Sequence, residues 1–167
     1  MRGPLSSWLL KDHERLDAIL RRAVADPGRI DREAFELFRG GLLRHIAIEE
    51  KILLPAVRKA RSGKPHPTAR HLRVDHGAIC SLLVPTPNAE IVAELGSILG
   101  PHNALEEAEG GFYEACDDLL STDAGSLLER MEKYPAVKTA PHRDGIGVYR
   151  TARDASRASA RQREHSD

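Results

Sequence analysis

The chain has 167 residues, with 25 basic and 25 acidic side chains and a formal net charge of zero. This length suits one domain with a sizeable core, and the balanced charge gives no electrostatic signal for binding nucleic acid or an anionic membrane. Hydrophobic residues make up 41% of the sequence but aromatic residues only 4%. A core of Leu, Ile, Ala and Val is therefore expected, which favours an all-α fold.

The sequence predicts a cytoplasmic protein. Trp8-Leu9-Leu10 is too short an apolar run for the core of a signal peptide, and about 18 consecutive apolar residues, the length of a membrane span, occur nowhere. Cys80 and Cys116 are predicted to lie too far apart for a disulfide, so we expect both to be small buried side chains.

Capping and breaking residues indicate where the first two helices begin and end. Ser6-Ser7 are predicted to cap a first helix that runs to about Val24, and Asp31 a second that runs to about Ala60. Pro55 lies within the second helix and is expected to bend it or to end its regular part near Leu54, because proline lacks the backbone donor that a helix interior requires.

The remaining breakers predict a third helix over residues 68–84, a fourth over 89–120 and a short fifth over 124–133. Gly100-Pro101 is expected to kink the fourth helix and Gly110-Gly111 to soften it. Four long helices with short connections are typical of an up-down-up-down four-helix bundle, so residues 1–134 are predicted to form one.

Apolar residues become sparse after this bundle. Residues 138–167 carry seven basic and four acidic side chains, a net charge of +3. We therefore expect residues 135–167 to be a loosely ordered, disordered tail exposed to solvent, and the alternative is an arm that binds a protein partner.

Single histidines interrupt the apolar stripes of the first and third helices. His13 and His76 each follow an apolar residue by four positions and precede others by three and seven. Residues at this spacing share one face of a helix, so both imidazoles are predicted to point into the core.

The second and fourth helices carry a histidine and a glutamate one turn apart in the same kind of stripe. The pairs are His45 with Glu49 and His102 with Glu106, each with the spacing H-x-x-x-E. Together with the two single histidines, six candidate metal ligands are predicted to face the core: His13, His45, Glu49, His76, His102 and Glu106.

A divalent metal gives these six residues a common explanation. Burying two carboxylates in an apolar core costs several kcal/mol each, roughly, and leucine and isoleucine offer imidazoles no hydrogen bonds. Two divalent ions would accept the imidazole lone pairs and neutralise the carboxylates at once.

With these residues in place, the chain resembles the hemerythrin-like (HHE cation-binding) family over about residues 5 to 120. The matching segments are His13, His45-Ile-Ala-Ile-Glu49, Asp75-His76 and His102-Asn-Ala-Leu-Glu106. The resemblance implies a centre of two non-haem iron ions, one held by His13 and His45, the other by His76 and His102. It also implies that Glu49 and Glu106 bridge the two ions.

Two departures from the oxygen-carrying hemerythrins distinguish this chain. Those carriers have a fifth ligand histidine in the spacing H-x-x-x-H, whereas His71 lies five residues before His76 and is expected at the surface. The second bridge is Glu106 at i+4, where the carriers place Asp at i+5. The resemblance therefore implies binding of, or reaction with, oxygen, peroxide or nitric oxide, with peroxide consumption as the enzymatic form, rather than oxygen storage.

Four further residues are candidates for contacts with the six ligands or the metals. Asp17 is expected on a polar face rather than as a partner of the His13 ring, and Glu50 and Glu107 are expected in solvent. Tyr113 is expected in the core, and the alternative is a redox-active residue beside the metals.

Other functions stay in competition. A ferritin-like oxidase is disfavoured because no inward histidine has a glutamate three residues before it, while zinc could substitute for iron in the same ligands. An iron or oxygen sensor whose tail reports to a protein partner, and an interaction bundle without catalysis, remain open alternatives.

Overall fold

A computed structural model describes residues 2–165, which form helices joined by turns and coil, with no strand in this range. The all-α class predicted from the composition is confirmed. Within the described range, no helix is both long enough and apolar enough to cross a membrane.

The first helix, α1, spans Pro4–Ala23 and begins earlier than its predicted cap at Ser6-Ser7. Its N-terminus is capped from a distant part of the chain, because the Asp117 carboxylate accepts hydrogen bonds from the backbone N–H groups of Gly3 and Leu5 at 2.8 and 2.9 Å. A carboxylate at this end also compensates the positive end of the helix dipole.

The second arm of the bundle consists of α2 (Arg32–Ile48), a π-helical turn (Glu49–Leu53) and α3 (Leu54–Ala60). As predicted, Asp31 caps α2, accepting from the Ala34 N–H at 3.0 Å. The wider π turn directly precedes Pro55, whose ring has no N–H to donate. The arm thus continues past the proline with a local widening.

The third arm, α4 (Ala69–Leu82), agrees with its prediction, but the fourth arm is divided into α5 (Ala89–Glu107) and α6 (Phe112–Leu120). Gly110 has φ of 72°, a conformation that glycine adopts without strain. A Cβ added to Gly111 would lie 2.7 Å from the carbonyl oxygen of Glu106. The chain therefore breaks at the two glycines that were expected only to soften the helix.

A short helix, α7 (Ala124–Glu132), follows a 3₁₀ turn at Ser121–Asp123 and agrees closely with the predicted fifth helix. The chain beyond it differs from the expected loose tail, because a further helix, α8, spans Ala152–Glu164. Residues 166 and 167, which the predicted tail includes, lie outside the described residues.

Helix α8 packs on α4. Ala155 and Ser159 are buried in this contact, and the Ser159 hydroxyl donates to the Val74 carbonyl oxygen at 2.7 Å. Gly77 allows the close approach, since a Cβ there would lie 2.2 Å from the Ser159 hydroxyl. The physical reason for the missed helix is that small residues, rather than an apolar stripe, attach it.

The bundle core consists of two apolar clusters. Along α1, Leu9 belongs to one cluster and Leu16 to the other, and His13 lies between them. Along α4, Leu72 and Ile79 divide in the same way around His76. A polar layer therefore crosses the bundle between the two clusters, and the candidate site lies in this layer.

Candidate metal centre

All six residues predicted as ligands meet in the polar layer. Two overlapping groups have ligand atoms within 4.8 Å of one another, the first with His13, His45 and Glu49, the second with Glu49, His76, His102 and Glu106. Five of these side chains are buried, and His13 is 10% exposed. Glu49 belongs to both groups, which places it between them.

Glu49 directs its two oxygens to different histidines. Oε1 lies 3.2 Å from Nε2 of His45, and Oε2 lies 3.1 Å from Nε2 of His76. A carboxylate that bridges two cations offers one oxygen to each, and Glu49 has this orientation.

Glu106 repeats the arrangement from the opposite arm. Its Oε1 lies 3.2 Å from Nε2 of His102, and its Oε2 lies 3.7 Å from Nε2 of His13. The two glutamates together define two positions, which we call the His13–His45 position and the His76–His102 position.

Three buried polar atoms at the His76–His102 position lie close to one another or to His102 but form no hydrogen bond of acceptable geometry with any described residue: Glu49 Oε2, His76 Nε2 and Glu106 Oε1. Unsatisfied polar atoms inside a protein are rare and costly, and a bound metal is one way to satisfy them. At the His13–His45 position, the two Nε2 atoms face each other at 3.1 Å. The donor set therefore fits two cations.

Each of the four histidines also contacts a second carboxylate through Nδ1. An ionised carboxylate only accepts hydrogen bonds, so each bond is donated by Nδ1 and leaves Nε2 as the ring nitrogen that can bind a metal. The four bonds are His45 to Asp12 at 2.8 Å, His76 to Glu50 at 2.9 Å, His102 to Asp75 at 3.1 Å and His13 to Glu107 at 2.6 Å.

These four bonds form a closed ring around the bundle. Each carboxylate is adjacent in sequence to a candidate ligand of its own helix, yet it accepts from the histidine of the next arm. The bonds link α1 to the second arm, the second arm to α4, α4 to α5, and α5 back to α1. Every arm thus orients an imidazole of its neighbour.

The structure corrects the expectations for Glu50 and Glu107 and agrees with those for Asp17 and His71. Glu50 and Glu107 are partly buried hydrogen-bond partners of histidines rather than solvated side chains. Asp17 is 66% exposed and pairs with Arg21, and His71 is 68% exposed, as expected for surface residues. Sequence reasoning missed Asp12, although its place directly before His13 mirrors Asp75 before His76.

Tyr113, expected in the core, is buried there, but its hydroxyl reaches the site. The oxygen lies 2.9 Å from Nε2 of His13, 3.1 Å from Nε2 of His45 and 2.8 Å from Oε1 of Glu49. Burial and the nearby charges of Glu49 and Glu106 raise the pKa of Tyr113 well above its usual value. The hydroxyl thus lies beside the candidate ligands, the position that the sequence left as the alternative to a core residue.

The carboxylates also change the protonation of the histidines. Burial alone would lower the pKa of His45, but the charge of Glu49 and the hydrogen bond to Asp12 outweigh it and raise that pKa to about 10. The pKa of His102 also rises to about 10, because hydrogen bonds to Asp75 and Glu106 outweigh burial. Protons therefore compete with metal for these two imidazoles.

Comparison with known proteins agrees with this geometry. The model of the hemerythrin HHE cation binding domain matches residues 5–110, a range that includes all four arms up to the end of α5 and every candidate ligand. No curated protein and no solved structure matches the chain. The chain belongs to the hemerythrin HHE cation-binding family.

Proposed function

We propose that the six residues hold two non-haem iron ions and that this pair binds or reduces oxygen, peroxide or nitric oxide. The observation that carries the proposal is the orientation of Glu49, whose two oxygens lie 3.2 and 3.1 Å from histidines of different arms. A carboxylate that binds a single ion directs its oxygens toward that ion, whereas each Glu49 oxygen adjoins a histidine of a different arm.

The donor types favour a first-row transition metal. Imidazole nitrogen suits iron, zinc and copper, and the absence of thiolate from the described cluster disfavours a soft-metal centre. Zinc could occupy the same ligands, but only a redox-active ion could reduce an oxidant. Iron fits both the donors and the proposed reaction, and it is the metal of the family resemblance.

A cavity of about 240 Å³ gives access to the centre. Its walls include three of the histidines, His13, His45 and His102, and its other lining is mainly apolar. The apolar side chains of the lining are Leu16, Leu20, Phe38, Leu42, Ile46, Ile79 and Leu99. A cavity of this size and polarity suits a small neutral molecule.

Peroxide consumption is the enzymatic form of this proposal. Reduction of one hydrogen peroxide to two waters takes two electrons and two protons, and a pair of ferrous ions supplies the two electrons. The protein's own contribution is to direct each Nε2 inward, through the Nδ1 bonds to the carboxylate ring.

Metal analysis tests the proposal. Protein purified without oxygen from iron-supplied cells is expected to contain close to two irons per chain, and its optical spectrum is expected to change on adding oxygen, peroxide or nitric oxide. His76→Ala is expected to lose iron, whereas the matched variant His71→Ala, at an exposed site, is expected to keep it. One iron per chain would contradict the proposal.

A sensor is the second candidate, favoured by a contact between the tail and the site. Arg163 of α8 lies 3.8 Å from Glu50, which accepts from Nδ1 of His76. A change at His76 could therefore reach α8 and a protein partner that reads it. Hydrogen exchange in α8 that is equal with and without iron would contradict this candidate.

We place the protein in the cytoplasm. Cys80 and Cys116 are both free thiols in the structure, which agrees with a compartment where thiols stay reduced. Burial raises the pKa of both thiols, so neither is poised for redox chemistry of its own.

A further inference from the structure

The Tyr113 hydroxyl has more close polar neighbours than a hydroxyl can bond. Its oxygen lies within 3.1 Å of four atoms: His13 Nε2, His45 Nε2, Glu49 Oε1 and Glu106 Oε2. A phenol donates one hydrogen bond and accepts at most two, and the carboxylate oxygens cannot donate to it when ionised. Hydrogen bonding alone therefore leaves this cluster incompletely explained.

The same distances are those expected between ligands of one metal ion. Donor atoms bound at about 2.1 Å and at right angles lie about 3 Å apart. The Tyr113 oxygen lies 2.8 to 3.1 Å from the four atoms, and Nε2 of His13 and His45 are 3.1 Å apart. The Tyr113 oxygen thus joins the group of His13, His45 and Glu49, whose ligand atoms lie within 4.8 Å of one another, as ligands of one ion would.

We propose that Tyr113 is a fifth protein ligand at the His13–His45 position, an inference that rests on the proposed pair of iron ions. Binding breaks the phenol O–H bond and forms an oxygen–metal bond. The proton passes to bulk water, and no electron is transferred. The centre is then asymmetric, with one oxygen more at this position than at the other.

The His76–His102 position has no matching hydroxyl. Its atoms Glu49 Oε2, His76 Nε2 and Glu106 Oε1 have no hydrogen-bond partner among the described residues. This position keeps more of its coordination sphere free, so we assign binding of the external molecule to it. The cavity is lined by His13, His45 and His102 but not by Tyr113, so it adjoins both positions and an external molecule can reach either from it.

The visible spectrum tests the ligand directly, because phenolate bound to ferric iron absorbs strongly through charge transfer from oxygen to metal. Oxidised protein with two irons is expected to show this band, and resonance Raman spectra excited within it are expected to show tyrosine ring modes. Tyr113→Phe is expected to lose both signals while keeping its iron. Tyr149→Phe, at a tyrosine 37% exposed, is the matched control and is expected to keep them.

The outcomes separate the two proposals. Two irons without phenolate ring modes in the wild-type protein, or a band that persists in Tyr113→Phe, would overturn the ligand and leave the iron pair standing. One iron with these modes would overturn the pair and keep the ligand. The wild-type Raman spectrum decides the question even if Tyr113→Phe does not fold.

Discussion

The second and fourth arms carry the same motif and continue differently after it. His45 and His102 are each followed by two glutamates, at i+4 and i+5. After the first motif the helix widens into the π turn Glu49–Leu53 and goes on, whereas after the second it stops at Glu107 and restarts at Phe112. The motif supplies the candidate ligands, and the path of the chain after the motif determines which other side chain contacts them.

The two continuations place different side chains after the two motifs. The π turn ends at Leu53 and is followed by Leu54, and both leucines are buried in the core. The break at Gly110-Gly111 instead lets α6 begin at Phe112 and presents Tyr113 to His13 and Glu49. Two similar sequences thus give an apolar boundary in one arm and a polar one in the other.

The largest effect is expected from the residues in which the two arms agree. Glu49→Ala and Glu106→Ala should each release both metals, because each glutamate contacts histidines of both positions. Removing one partner of a buried charged cluster destabilises a protein by about 3–5 kcal/mol. Iron content and urea unfolding measure both effects.

Glu14→Ala, at an exposed position of α1, serves as the control and should keep metal and stability. If Glu106→Ala retained one tightly bound iron, the two motifs would not be equivalent as bridges.

The break between α5 and α6 is the next feature to test. Gly111→Ala should destabilise the fold by about 1–3 kcal/mol, the cost of overpacking, because its Cβ would lie 2.7 Å from the backbone oxygens of Glu106 and Ala108. It should also weaken the tyrosine signal by displacing Tyr113. In Gly125→Ala, nothing lies within 4 Å of the new Cβ, and the variant should be as stable as wild type or more so. Equal stability of both variants, measured by urea unfolding, would mean that Gly111 does not enforce the break.

The fold could be predicted from the sequence, whereas the details that distinguish the two arms could not. Helical periodicity alone determines which residues of a helix face the core. It therefore places His13, His76 and the two H-x-x-x-E pairs on the core face, and the structure brings these residues together as expected. The role of Tyr113 depends on how two glycines redirect the chain. The ring bonds of Asp12 and Glu107 depend on the rotation of a neighbouring helix, which no local pattern encodes.

Helix α8 shows a different limit. Residues 152–164 contain no long apolar stripe, so hydrophobic periodicity does not indicate a packed helix. Its attachment uses Ala155 and a hydroxyl–backbone bond from Ser159 opposite Gly77. Contacts between small residues become visible only when both helices are placed.

A smaller effect is expected from the ring carboxylates. Asp12→Asn should weaken metal binding at the His13–His45 position, and Asp75→Asn at the His76–His102 position, because each carboxylate orients one histidine. Loss of such an outer partner typically costs 10–100-fold in metal affinity, roughly 1.4 to 2.7 kcal/mol. Competition with a chelator measures the two affinities.

The matched control is Asp17→Asn, because Asp17 pairs only with Arg21 at the surface. Equal affinity of Asp12→Asn and Asp17→Asn would show that the bond to His45 does not support the metal.

The last effect concerns the metal-free protein and its protons, one on the histidine of each motif. In the metal-free protein the pKa values of His45 and His102 are about 10, so at pH 8 both imidazoles carry an extra proton that metal must displace. Metal affinity should rise with pH up to about 10 and fall as pH decreases, by about 1.4 kcal/mol per pH unit for each proton released. Titration of metal into weakly buffered protein at pH 8 should release protons, and no release would contradict the values.

The ring of imidazole–carboxylate bonds also acts on the alignment of the helices. An apolar stripe repeats about every seven residues, so a helix of an apolar bundle can slip by seven residues and keep its stripe in the core. Here such a slip would shift a helix by about 10 Å and would break two bonds at once, the one its carboxylate accepts and the one its histidine donates. Because the ring is closed, every arm has a bonded neighbour on both sides, and no arm can shift without breaking bonds. The ring therefore favours one register of the four arms.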